Sequence, residues 1–106
     1  MNNMKVTFAG LFFLASVLTA ADAAAGKAVY DKACKSCHGA DGTPNAKIAS
    51  AMKVEMKHLG AKEIQALSDD EHKKIITAGH GKMKPVKSVS GAAADNVVAY
   101  VRTLKQ

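Results

Sequence analysis

Tryptophan is absent from this chain of 106 residues, and it has three phenylalanines, two tyrosines, two prolines and two cysteines. With so few aromatics the chain has little bulky material for a core, and domains of this size often need a staple or a bound group to stay folded. Two cysteines cannot make a four-cysteine zinc site. A mixed site would need a histidine pair at short spacing, and His72 and His80 are too far apart for that pattern. A thioredoxin-like use of Cys-x-x-Cys needs a βαβ context that the chain lacks. No internal repeat or low-complexity tract is visible. No apolar run reaches the roughly 20 residues that span a bilayer. Acidic residues are the minority, nine against fifteen lysines and arginines, giving a formal net charge of +6.

The start of the chain reads as a signal peptide. Residues 1–5 are short and basic, residues 6–18 are an apolar core, and small residues follow. Leu18-Thr19-Ala20, Ala21-Asp22-Ala23 and Ala23-Ala24-Ala25 all offer cleavage sites, and the small-residue pattern favours a cut after Ala23 or Ala25. The expected organisation is therefore a presequence over residues 1–25 and one domain over residues 26–106, periplasmic and without stable membrane insertion once cut. An exported chain is also a poor candidate for binding nucleic acid.

The stretch Cys34-Lys35-Ser36-Cys37-His38 organises the rest. It is a C-x-x-C-H pattern, the signature of covalent haem c attachment. On a helix these positions are i, i+3 and i+4 and share one side. Two thiols then each bond one edge of a single macrocycle, and the adjoining imidazole lies beneath the iron as proximal ligand. In an oxidising compartment two thiols so close would form a disulfide unless something consumes them, and haem attachment consumes both. A plain C-x-x-C thiol protein, colourless and cycling between dithiol and disulfide, is the alternative use of the same residues.

Helical spacing predicts the remaining elements. Gly26, Val29, Tyr30 and Ala33 form one face of a helix over residues 26–34, and a glycine inside it points to a close approach of another helix. Gly39 suits a helix C-cap. Residues 40–45 are a loop, from which the Pro44 carbonyl is a candidate partner for the His38 ring. Ile48, Met52 and Met56 lie four apart and suggest a helix face within residues 47–58, with His58 at the surface. A second helical stretch runs over residues 60–67. Ser68-Asp69-Asp70-Glu71 is a capping box opening a helix that stops at Gly79, with Ile75 and Ile76 as core and His72 as a half-buried structural histidine. Ser90 is the expected N-cap of a last helix, on which Val97, Tyr100, Val101 and Leu104 form one apolar face.

Between those last two helices lies Gly79-His80-Gly81-Lys82-Met83-Lys84-Pro85. Met83, on a loop between glycines and a proline, is the candidate sixth ligand, and its soft thioether favours ferrous iron. His80 is the rival, and a bis-histidine site would lower the potential.

Together these residues resemble the class I c-type cytochromes, specifically the small bacterial monohaem ones. The resemblance is carried by Gly26-Lys27-x-x-Tyr30, Cys34-x-x-Cys37-His38, Pro44, Gly79-x-Gly81-Lys82-Met83 and Val97-x-x-Tyr100. It implies an all-α fold of about four helices around one covalently bound haem c, with the N- and C-terminal helices crossing at Gly26 beside the tyrosine pair. It also implies cofactor binding by Cys34, Cys37, His38 and Met83, with His38 and Met83 on the iron. The chain departs from the family at three places: Lys84 stands between Met83 and the proline, His80 where lysine is frequent, and His72 where an aliphatic residue is usual. The implied function is outer-sphere electron transfer, not enzymatic catalysis, because both axial positions are filled by protein. Lys35, Lys82, Lys84 and Lys87 would then present a positive rim to acidic redox partner proteins. A haem sensor or small peroxidase-like catalyst is the alternative, should Met83 leave the iron open.

Overall fold

The computed structural model describes residues 20–106, which form six helices and no strand. Most of the signal-peptide expectation, residues 1–19, lies outside the described residues. The helices are α1 (Ala23–Ala33), α2 (Lys35–His38), α3 (Ala46–Met52), α4 (Lys62–Gln65), α5 (Asp69–Ala78) and α6 (Ala92–Arg102). Two of them, α2 and α4, are single turns. They account for the difference from the four helices expected.

The first and last helices make the principal contact. Gly26 is buried where α1 meets α6, and a Cβ there would lie 1.8 Å from the Asn96 carbonyl oxygen. Only glycine lets the two backbones approach this closely, as its place inside a helix suggested. One turn on, the Tyr30 and Tyr100 rings meet edge to face, with centroids 4.9 Å apart and planes at 61°. Around this crossing Tyr30, Ile76, Val89, Ala94, Val97, Val98 and Val101 form the buried core. The face read from Val97, Tyr100, Val101 and Leu104 is the face that packs, with Val97 and Val101 buried and the other two partly so.

Local capping sets the helix bounds. The α1 helix begins three residues earlier than the periodic run, because Asp22 accepts from the Ala24 and Ala25 N–H groups. The capping box of α5 is complete: Ser68 Oγ accepts from the Glu71 N–H, and the Glu71 carboxylate accepts from the Ser68 N–H. Ser90, by contrast, does not cap α6. The cap position is Gly91 at φ +55, with no side-chain hydrogen bond, and Ser90 contributes only its carbonyl, which accepts from the Ala93 N–H. The face expected from Ile48, Met52 and Met56 is cut short at Lys53, which turns left-handed at φ +53. There the Val54 N–H donates to the Ala49 carbonyl and the Lys53 N–H to the Ser50 carbonyl, a Schellman-type ending built without glycine.

At the far end of the molecule α6 is fastened to the segment before α5. Arg102 donates to the Gln65 and Leu67 carbonyls and to the Asp69 carboxylate. Gln65 donates back to the Val101 carbonyl at 3.0 Å. His72 is buried at 8% exposure, and its Nε2 lies 3.0 Å from the Ile64 carbonyl oxygen. It is the structural histidine expected. No described helix is long and apolar enough to cross a membrane.

Candidate functional site

The attachment motif sits on a break between helices. Cys34 ends α1 and starts α2, so the helix expected to run through it turns there instead. The spacing survives, because the Cys34 carbonyl accepts from the His38 N–H at 3.0 Å and, more weakly, from the Cys37 N–H at 3.3 Å. Two thiols and one imidazole therefore lie within a single turn. Both cysteines are free and half-buried. Burial, and secondarily the neighbouring Cys37, push the Cys34 thiol up to about 11. Burial also holds the His38 imidazole below its ordinary 6.5, so it is neutral and its ring nitrogens can ligate.

Two residues hold this turn. The Tyr30 hydroxyl, on a fully buried side chain, donates to the Gly39 carbonyl at 2.7 Å and more loosely to the His38 carbonyl at 3.3 Å. Burial raises the Tyr30 pKa far above its usual range, so the phenol remains a donor. From the other side the Asn45 N–H donates to the Cys37 carbonyl and its Nδ2 to the Ser36 carbonyl, while its Oδ1 caps α3. Sequence reading placed Asn45 in a loop and missed this clamp. Its position just before Ala46 is an N-cap signal, but nothing local announces its grip on Ser36 and Cys37. Gly39 ends α2 at φ +70, and a Cβ there would lie 2.2 Å from the Thr43 carbonyl oxygen, so the expected glycine is required.

Pro44 does not do what was expected of it. The His38 Nδ1 is buried and has no hydrogen-bond partner. The loop is drawn instead onto the Cys37 and Ser36 carbonyls through Asn45. His58 has a local duty as well: its Nδ1 accepts from the Gly60 N–H at 2.8 Å.

Met83 and His80 face each other across a two-residue turn, each N–H donating to the other's carbonyl at 2.9 Å. Gly81 sits at the turn's first central position with φ +56 while Lys82 keeps a negative φ, the pattern of a type II′ turn. Met83 is half-buried and His80 exposed. The turn is tied back at two points. Gly79 packs so closely that a Cβ on it would meet the Met83 carbonyl oxygen at 2.7 Å. The Lys82 ammonium donates to the Met52 carbonyl at the end of α3. A chain of hydrogen bonds thus runs from Cys37 through Asn45 and α3 to the Met83 turn.

The donor set suits a haem macrocycle better than a single ion. Among the described residues no three His, Cys, Asp or Glu side chains converge as metal ligands would, and Cys34, Cys37 and His38 are no exception despite their spacing. Separate thioether positions and one axial position ask for that divergence. The half-buried, uncharged His38 ring would meet the axial need through Nε2, since its Nδ1 is enclosed by protein. A surface cleft of about 610 Å³ lies at the start of α1 and α6 and is lined by no cysteine, histidine or methionine.

A family profile described as cytochrome C oxidase, cbb3-type, subunit III matches residues 21–101. No curated protein matches the chain. Among solved structures, the KustC0563 c-type cytochrome is similar at 28% identity and a TM-score of 0.65, covering 76% of this chain and 98% of that one. The chain therefore belongs to the family described as cytochrome C oxidase, cbb3-type, subunit III, and is a small class I c-type cytochrome carrying covalently bound haem c.

Proposed function

We propose that this chain is an exported, periplasmic electron carrier whose haem is attached through Cys34 and Cys37 and ligated axially by His38 and Met83. Haem c supplies a one-electron couple, and the protein's part is to hold it, tune it and keep other ligands away. Burial keeps His38 neutral and so able to donate a lone pair. Tyr30 and Asn45 fix the turn that carries it. The tethered turn at residues 80–83 supports Met83 as distal ligand over His80, since Met83 is the half-buried member of that pair. Held by both of these side chains, the haem would be closed to substrates and would supply electron transfer alone.

The observation that carries the reading is the placement of two thiols and a neutral imidazole in one turn, clamped from both sides. Lys35, Lys82, Lys84 and Lys87 are exposed and in no ion pair among the described residues, which supports an acidic partner surface. Residues 1–25 contain the signal sequence that export requires. The matched family's description also permits service as a subunit of an oxidase. Purification at native levels distinguishes a free carrier, recovered as a monomer, from a subunit that co-purifies with a larger complex.

The test of the ligation is carbon monoxide. A six-coordinate ferrous carrier leaves its spectrum unchanged under the gas. An open iron binds it at once and returns the chain to the sensor or catalyst reading.

A further inference from the structure

Resting on the export reading above, we infer that the presequence is cut between Ala20 and Ala21, so that Asp22 stays on the mature protein. The small-residue pattern alone favours a cut after Ala23 or Ala25, but the folded domain uses what those cuts would remove. Asp22 is bonded through its N–H, its Oδ1 and its carbonyl. Its N–H donates to Asn96 Oδ1 at 2.8 Å, its carboxylate accepts from the Ala24 and Ala25 N–H groups, and its carbonyl accepts from the Gly26 N–H at 2.9 Å. Asn96 is the residue against whose carbonyl Gly26 packs. Asp22 therefore caps α1 and ties it to α6 at the tightest point of the crossing.

The new amine decides between the sites. A cut after Ala25 would place the new amine on Gly26, inside α1, and would remove both the first residues of the helix and the Asp22 carbonyl that accepts from the Gly26 N–H. A cut after Ala23 would put a positive charge within the first turn of α1, where the helix dipole disfavours it, and would remove the capping carboxylate. A cut after Ala20 places the amine on exposed Ala21, outside the helix, and leaves the cap whole. Ala20 supplies the small residue before the bond. The step is an ordinary hydrolysis by a signal peptidase. Water adds across the Ala20–Ala21 amide, the C–N bond breaks, and a carboxylate on Ala20 and an amine on Ala21 result.

The experiment is intact mass and N-terminal sequencing of the haem-loaded protein recovered from the periplasmic fraction, with Asp22→Ala as companion variant. The expected first residue is Ala21. The variant should lower Tm by about 4–8 °C, the shift that loss of one helix cap produces in a domain of this size. A folded, haem-loaded chain beginning at Ala24 or Gly26 overturns the inference, as does an unchanged Tm in Asp22→Ala. A chain beginning at Met1 overturns the export reading itself and is told apart by its mass.

Discussion

Gly26 rests against the Asn96 carbonyl so closely that a methyl group in its place would sit 1.8 Å from the oxygen. The contact joins the first helix, which leads into the attachment motif, to the last. Replacing Gly26 with alanine has two opposed effects. Alanine is the better helix former by about 0.5–1 kcal/mol. The collision is with backbone, which cannot swing aside, and such overpacking costs about 1–3 kcal/mol, occasionally more. The collision wins, so Gly26→Ala should lower Tm, by roughly 4–8 °C for each kcal/mol lost at this size. Thermal unfolding followed by circular dichroism decides it. An unchanged or raised Tm would mean that the helices do not cross there.

Acid should weaken the fold through His72. Its pKa is lowered from 6.5, chiefly by burial and then by Arg102 of α6, against the smaller pull of Asp69 and Glu71 on its own helix. The Ile64 carbonyl of α4, which its Nε2 faces, also favours the charged ring. The unfolded chain then binds this proton more readily than the folded one. The contribution of His72 is complete above about pH 6.5 and is lost as the pH falls through and below that value. His72→Gln keeps a donor for Ile64 and does not titrate. Between roughly pH 7.5 and 5.5 the wild type should lose more Tm than the variant. Parallel pH curves would exclude His72 as the source.

Much of this was legible in the sequence, and what was not has a common cause. The capping box at Ser68, the stripe of α6 and the glycine at the helix crossing are written in residues a few positions apart. The end of α3 was not, because a lysine stands at a left-handed position where glycine is the usual signal. Arg102 and Gln65 were also missed. The bonds by which they join α6 to the segment before α5 link residues more than thirty positions apart, and the carbonyls they bond carry no mark of their own in the sequence. Within the candidate site, the Cys34-x-x-Cys37-His38 turn was plain, whereas the Asn45 clamp and the Lys82 tether appear only once α3 is in place.

The axial assignment separates by mutation. Met83→Ala should lower the reduction potential and admit carbon monoxide to the ferrous iron, because a soft, neutral ligand has been lost. His80→Ala should do neither. Lys82→Ala should keep the methionine but loosen its turn, so that the methionine band of the ferric spectrum is lost at lower temperature than in wild type, with Lys82→Arg restoring it. Loss of the sixth ligand in His80→Ala alone would overturn the choice of Met83.

Partner recognition should be electrostatic. If exposed Lys35, Lys84 and Lys87 steer encounters, electron exchange with an acidic protein slows as salt rises, since exposed charges are screened within about 10 Å at 0.1 M. Stopped-flow rates over a salt series measure this. A rate flat from low to high salt would remove the steering argument and leave the ligation untouched.

The most direct test of the central claim is the visible spectrum of the protein from cells able to attach haem c, first oxidised and then reduced. The account predicts low-spin haem c bands, haem that resists acidic acetone extraction, and a far-red methionine-to-ferric band that Met83→Ala abolishes. A high-spin spectrum, or a low-spin one without that band, would contradict ligation by His38 and Met83.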